Sequence, residues 1–302
     1  MKIFKTLLLI IALSMVIMSC NNQSKAISDD LVVFNAETKE ILLKETTTDA
    51  VKLEYKFTKG TKTDYAINLD AQVEMMGQQM TTETNMEGQY EITGVDTSGN
   101  ASILFSITRI AIAMPLAEIS FDSNNEEDRK NPQGVAISQM LNKSVNLSVN
   151  PSGKVLSVEY GEMEEMMKMQ MEQNVSQFNQ TTFILLPDNE VKEGYTYQDE
   201  TAQNFRGLEI ITVNQYTVRS ISKDKTMVIL DLEGKMNTVT TLIEDDAEIK
   251  INNGTVTGWI FVDLNKGFIA KSYISSKMDI SMTQMGQQMD MTTITNILMN
   301  AK

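Results

Sequence analysis

The sequence predicts a mainly β protein: long antiparallel strands in a curved, half-barrel-like sheet or two related sheets, with one amphipathic helix and a cleaved N-terminal signal helix. Two observations carry this prediction. Apolar and polar residues alternate with a period of two over long stretches of the chain, and turn-forming residues separate these stretches. Only residues 162–178 show a convincing helical period.

The N-terminus has the layout of an export signal. Lys2 and Lys5 precede an apolar run that starts at Leu7 and stops at Ser19. A membrane-spanning helix needs about 20 apolar residues, and this run is shorter. Residues 1–19 are therefore predicted to be a cleaved signal peptide.

The end of that run, Ile17-Met18-Ser19-Cys20, resembles the lipobox of bacterial lipoproteins. The resemblance implies cleavage between Ser19 and Cys20, and acylation of Cys20, including palmitate, which anchors the chain in the cell envelope. Residues 20–45 would then be a lipidated tether. Asn21 replaces the aspartate that retains enteric lipoproteins in the inner membrane, which favours the outer membrane and leaves open whether the domain faces the periplasm or the cell surface. The alternative is an ordinary signal peptide with an incidental cysteine.

Composition excludes several classes of function. Without Lys2 and Lys5 the chain has 24 basic and 40 acidic residues, so its formal charge is −16, which disfavours nucleic acid as a partner. The chain has no histidine and no cysteine except Cys20. The commonest general base and zinc ligand are therefore missing, and we expect no enzyme activity, no cofactor and no metal.

The first predicted strands follow residue 50. Residues 51–57 alternate, with Tyr55 and Phe57 on the apolar side, and Lys59-Gly60 predicts a turn. A long strand, residues 64–75, places Tyr65, Ile67 and Met75 on one face. Gly77 ends this strand, and further strands are predicted at residues 80–92, 101–112 and 145–158. Turn-rich residues 96–100 precede the second of these, and residues 150–153 divide the third into a hairpin.

The predicted helix has an apolar stripe that is unusually rich in methionine. The stripe contains Met163, Met167, Met171 and Phe178, and the charged residues lie outside it. A second set of strands then extends from residue 191 almost to the C-terminus.

Parts of this second set resemble the first. Residues 89–104 match residues 215–230 without a gap, and residues 147–155 resemble residues 261–269. Residues 46–302 are predicted to form an antiparallel β region, as one domain or two. The matches suggest duplicated halves at about 46–183 and 184–302; the alternative is chance similarity between amphipathic strands.

An amphipathic sheet of this size must cover its apolar face, because burial contributes about 25 cal/mol per Å². The sheet can curl, pack on its repeat or bind a guest. We therefore expect a lipid or other apolar ligand as a candidate partner, held between the sheet and the helix. The candidate lining residues are Tyr55, Phe57, Tyr65, Ile67, Met75, Met163, Met167, Met171 and Phe178.

The lipobox, the long strands and the Gly-x-x-x-Phe-x-Asp-x-x-x-Gly pattern near residues 258–267 together resemble a family of uncharacterised bacterial envelope lipoproteins. The architecture is also distantly similar to periplasmic carriers of lipoproteins or lipids, a likeness that does not assign a function. The alternative to a ligand carrier is a structural or interaction lipoprotein with a filled core and an unknown protein partner. Two weaker hypotheses are a soft-metal site on the methionine stripe and a carboxylate hydrolase using Glu244, Asp245 and Asp246 or Asp263.

Overall fold

The computed structural model describes residues 31–301, except residues 118, 132–133, 136–137, 139–140, 162–182, 206–207, 241, 245–246 and 285–286. The predicted helix, residues 162–178, lies outside the described residues. Short helical pieces are a 3-10 turn at Pro115–Ala117 and the helix α1 at Glu126–Lys130. No helix within the described ranges combines the length and the apolar character needed to cross a membrane.

Strands dominate the chain, as the period-two pattern predicts. In chain order they are β1 (Val32–Asn35), β2 (Glu40–Leu43), β3 (Val51–Lys52), β4 (Lys62–Met75), β5 (Gln78–Val95), β6 (Ala101–Met114), β7 (Ile119–Asp122), β8 (Ser144–Val149), β9 (Val155–Glu159), β10 (Glu190–Val191), β11 (Thr196–Phe205), β12 (Leu208–Ile221), β13 (Met227–Thr240), β14 (Leu242–Glu244), β15 (Ala247–Asp263), β16 (Phe268–Gln284) and β17 (Gln287–Ala301).

Thirteen of these strands form one antiparallel sheet with the order β11-β12-β13-β15-β16-β17-β4-β5-β6-β8-β9, with β14 beside β15 and β7 beside β6. Strand β17 pairs with β4 from residues 291/75 to 301/65, so both halves of the chain share this sheet. The strands β11 and β9 end the order, and the sheet is open. The mainly β prediction is confirmed, in the form of one sheet rather than two.

The sheet has an inner face, which carries Tyr65, Ile67 and Leu69 of β4, and an outer face with most of the charged residues. The side chains of the inner face form one continuous core that extends from β8 to β12. This follows from alternation, because successive residues of a strand point to opposite faces. A bulge in β6 between its pairs with Glu87 and Gly88 changes the parity, so Ile110 and Ile112 also face inwards.

Residues 51–57 were predicted to form one strand, and most of this prediction is wrong. Only Val51–Lys52 pairs, with β10, although Leu53 and Tyr55 are buried as the alternation predicts. The remaining backbone bonds to turns instead: the N–H of Tyr55 donates to the carbonyl of Pro151 (2.8 Å), and the N–H of Lys56 donates to the carbonyl of Leu264 (2.7 Å). The segment therefore bridges the β8–β9 turn and the β15–β16 turn.

Each of these two turns places a glycine against an aromatic ring, Gly153 against Tyr55 and Gly267 against Phe57. Gly153 and Gly267 both have positive φ, 86° and 77°. A Cβ atom on Gly153 would lie 2.7 Å from the ring of Tyr55, and one on Gly267 would lie 2.7 Å from the ring of Phe57. Only glycine provides both the backbone conformation and the space.

The predicted duplication has a counterpart in the hydrogen bonds. Bulges occur after Ile92 and after Val218, positions that the ungapped sequence match aligns. The carbonyl of Ile92 accepts from Gly60 N–H (2.7 Å), and the carbonyl of Val218 accepts from Gly194 N–H (2.8 Å). The same local geometry thus occurs once in each half, and the duplication stays a prediction.

An N-terminal hairpin, β1–β2, packs on the outer face of the sheet. Val32 and Ile41 are buried with Trp259 and Phe261 in a second, smaller core. The indole N–H of Trp259 donates to the carbonyl of Lys39 (2.6 Å). The predicted tether at residues 20–45 therefore includes folded residues, because Val32 and Ile41 of the hairpin are covered by the sheet.

Candidate apolar binding site

The inner face changes its chemistry along the strands. We call the end near the turns at residues 96–100 and 263–267 the proximal end. The end near the β4–β5 turn and the β16–β17 turn is the distal end. Each long strand extends from one to the other, so side chains a few residues apart on a strand lie at different depths.

The proximal half is filled by aromatic rings in contact with one another. The ring centroids of Tyr65 and Tyr90 are 4.8 Å apart, those of Tyr90 and Phe268 are 5.5 Å apart, and those of Tyr55 and Phe183 are 5.7 Å apart. The Tyr55 hydroxyl accepts from the N–H of Ile184 (3.2 Å), and burial raises its pKa well above the usual value. Rings in such contact leave no room for a guest.

Methionine dominates the distal half. Several strands contribute methionines to this half of the inner face, at matching depths. These residues are Met75, Met80, Met236, Met278, Met282, Met289 and Met291, whereas Met86 and Met299 lie beside Ile67, nearer the aromatic rings. Methionine is unbranched and adapts its shape to its neighbours, so this half of the face is deformable where the proximal half is rigid.

The rim of the distal half is partly exposed. Met75, Met80 and Met289, near the ends of three adjacent strands, are neither fully buried nor fully exposed. Met76 in the adjoining turn is 79% exposed. An apolar rim of this kind is where an apolar molecule can enter.

Polar side chains interrupt the middle of the inner face. Ser276 on β16 pairs with Thr295 on β17, and Thr293 lies two residues nearer the distal end. All three are buried, and no hydrogen-bond partner for their hydroxyls occurs in the described part of the chain. Sequence reasoning missed them, although Thr293 and Thr295 share the parity of Met291 on β17, and Ser276 shares that of Met278 on β16.

Charge is almost absent from the inner face. Among the strand residues whose side chains are described, the inner face carries no lysine or arginine and one carboxylate, Asp199 of β11. Burial raises the pKa of Asp199. The interior therefore suits an uncharged molecule.

The predicted lining residues are divided between the two halves. Tyr55, Phe57 and Tyr65 belong to the aromatic half, Ile67 is adjacent to it, and Met75 lies at the distal rim. Cys20 and Ser19, together with Met163, Met167, Met171 and Phe178 of the predicted helix, lie outside the described residues.

The two described residues of the hydrolase hypothesis, Glu244 and Asp263, lie at opposite ends of the sheet. Glu244 ends β14 at the distal end, whereas Asp263 lies at the proximal end and accepts from the N–H groups of Asn265 (3.1 Å) and Lys266 (2.9 Å). Asp245 and Asp246 lie outside the described residues. In the described ranges, no three acidic or cysteine side chains converge as metal ligands.

The fold and this site define a large, open antiparallel sheet with an apolar, methionine-rich half. Residues 96–269 match the family described as "Family of unknown function (DUF6263)". Because the match spans more than half of the chain, the protein belongs to that family. No curated protein matches the sequence.

Two solved structures show limited similarity. A structure of lipovitellin, titled for its lipid–protein interactions, is 11% identical with a TM-score of 0.47, over 82% of this chain and 25% of that chain. This chain thus spans a quarter of that structure's length. A DUF1329 family protein from Desulfovibrio piger is 7% identical with a TM-score of 0.14, over 79% of this chain and 85% of that chain.

Proposed function

We propose that this protein is a non-enzymatic, lipid-anchored lipoprotein of the bacterial envelope, attached to the outer membrane, whose sheet binds an apolar molecule such as an acyl chain. The ligand lies against the distal half of the inner face. The aromatic proximal half is the structural core that holds the strands in place.

The observation that carries the proposal is the division of the inner face. A protein that needed only a filled core has no reason to fill one half with interlocking rings and the other with methionine. Methionine surfaces suit guests of irregular shape, because the side chain changes rotamer at low cost. The half-exposed rim at Met75, Met80 and Met289 supplies the entrance.

Anchoring is supported by the sequence Ile17-Met18-Ser19-Cys20 and by the position of the hairpin. The first residue that the structure describes, Leu31, follows Cys20 by eleven residues, which is a suitable length for a spacer between an acylated residue and a domain. Labelling of cells with radioactive palmitate should tag the wild-type protein and not a Cys20→Ser variant. Equal labelling of both would contradict the anchor.

Ligand binding is tested by native mass spectrometry of the chain from Asn21 onward, purified from bacteria. We expect an added mass that extraction identifies as a lipid. To locate it, Met289→Trp is made in a Trp259→Phe background, since Trp259 is the sole tryptophan. Brominated acyl chains should quench this tryptophan, and a matched Val33→Trp reporter on the hairpin should not be quenched.

The alternative is an interaction lipoprotein with a filled core and a protein partner in the envelope. The observation that favours it is the aromatic half, which is filled by the chain's own side chains. A ligand-free mass, together with no quenching at position 289, would support this alternative and refute the carrier.

A further inference from the structure

Three hydroxyls form a compact polar group in the inner face. Ser276 and Thr295 are directly opposite each other on β16 and β17, and Thr293 is the next inward-facing residue of β17. Their exposed fractions are 1%, 0% and 1%. Within the described part of the chain, none of the three hydroxyls has a hydrogen-bond partner.

Such an arrangement is unfavourable in an ordinary core. A buried hydroxyl without a partner loses its bonds to water and gains nothing in return. Valine and alanine have the same shape as threonine and serine without that cost, and the neighbouring inward positions do carry apolar residues, Ala71 and Val73. Three such hydroxyls together indicate that something other than packing uses them.

The three hydroxyls lie within reach of the distal rim along the strands. Thr295 is opposite Ala71, whereas Met291 is opposite Met75 at the rim. Four residues of strand separate the two positions, or about 13 Å. An apolar chain that enters at the rim and lies along the methionine half therefore reaches the hydroxyls.

The charge of the inner face limits the chemistry of the group that they bind. A buried carboxylate or phosphate needs a cation, and the described inner face offers no lysine or arginine. Hydroxyl groups donate well to an uncharged oxygen, such as an ester carbonyl or an alcohol.

We propose, building on the apolar-ligand function above, that Ser276, Thr293 and Thr295 bind an uncharged oxygen of an acyl ester or a fatty alcohol whose hydrocarbon chain occupies the methionine half. The site thereby distinguishes an oxygen-bearing amphiphile from a plain hydrocarbon. Discrimination of this kind arises because buried hydrogen-bonding groups would be left unpaired by the hydrocarbon.

The test compares methyl dodecanoate with pentadecane, which has the same number of non-hydrogen atoms and no oxygen. The affinity of each compound is measured by its displacement of the dye Nile red from the protein chain that starts at Asn21. In the Ser276→Ala/Thr295→Val double variant we expect the affinity for methyl dodecanoate to fall about tenfold and that for pentadecane to change less than about twofold. Thr293→Val alone gives a second, milder variant.

The matched control is Thr292→Val, which removes a hydroxyl of the same strand that faces the other way and donates to Asp279 (2.9 Å). It should leave both affinities unchanged. Equal loss for both ligands, or no loss for either, would overturn the hydroxyl site; no loss for either together with lowered stability would mean that the hydroxyls bind only buried water. If neither compound displaces the dye from the wild type, the apolar-ligand function itself fails.

Discussion

The Thr295 hydroxyl lies in an apolar core, and this position makes an unusual prediction for stability. Replacing it by valine keeps the shape and removes an unpaired polar group. Thr295→Val should therefore raise the free energy of unfolding of the ligand-free protein by about 1 kcal/mol. Thr292→Val, which loses a hydrogen bond to Asp279, should lower it by a similar amount. Urea midpoints measure both, and destabilisation by Thr295→Val would show that its hydroxyl is paired.

Lys271 predicts a dependence of stability on pH. Its ammonium group lies 3.4 Å from the ring centroid of Phe34, and burial, followed by repulsion from Lys39, lowers its pKa from 10.5 to about 8. Between those pH values the unfolded chain binds more protons than the folded chain, so this residue's contribution to stability rises with pH.

Lys271→Met removes that contribution. The stability of the wild type relative to the variant should therefore increase between pH 8 and pH 10, as measured by urea unfolding at each pH. A constant difference across this range would contradict the lowered pKa.

Residue-level reasoning from sequence succeeded where parity alone decides the outcome. The parity of β4 correctly places Tyr65, Ile67 and Met75 on the buried face. It could not show that Tyr65 joins an aromatic stack while Met75 lies at an open rim, since that depends on which strands become neighbours. The pairing of β17 with β4 joins residues more than 200 positions apart, and no local pattern indicates it.

The hairpin β1–β2 is the element whose removal should be easiest to observe. Ile41 has no exposed surface and packs under the hairpin against the second core. Ile41→Ala should destabilise the hairpin by about 2 kcal/mol and shift the fluorescence of Trp259 to longer wavelength.

The neighbouring residue supplies the control. Leu42 is 59% exposed, so Leu42→Ala should change neither stability nor emission. Identical spectra for wild type and Ile41→Ala would mean that the hairpin does not shield Trp259.

Elements were predicted well where they are long. The prediction of residues 64–75 corresponds to β4, and residues 101–112 correspond to β6. Residues 51–57 were predicted as a strand because alternation reports burial and not hydrogen-bond pairing; their partners are turns from both halves of the chain. The hairpin was missed because its four-residue strands are too short to show a period.

At the scale of the whole molecule, one sheet and one main core predict one unfolding transition. The inner core is continuous across both predicted halves. Trp259 reports the outer face near the proximal end, and a tryptophan at position 289 in the Trp259→Phe background reports the distal rim. Both reporters and far-ultraviolet circular dichroism should give the same urea midpoint. Two separate midpoints would instead reveal halves that unfold independently.

The packed β1–β2 hairpin also limits the distance between the sheet and Cys20. It holds Leu31 on the sheet close to the proximal end, so the eleven residues from Asn21 to Leu31 limit that end to about 37 Å from an acylated Cys20. Strand β16, with 17 residues, places the distal rim about 56 Å farther along the sheet. If the protein is anchored through Cys20 as proposed and its strands stand upright on the membrane, the proposed entrance faces away from that bilayer. A cargo would then be collected from, or delivered to, a donor or acceptor on the opposite side of the aqueous gap.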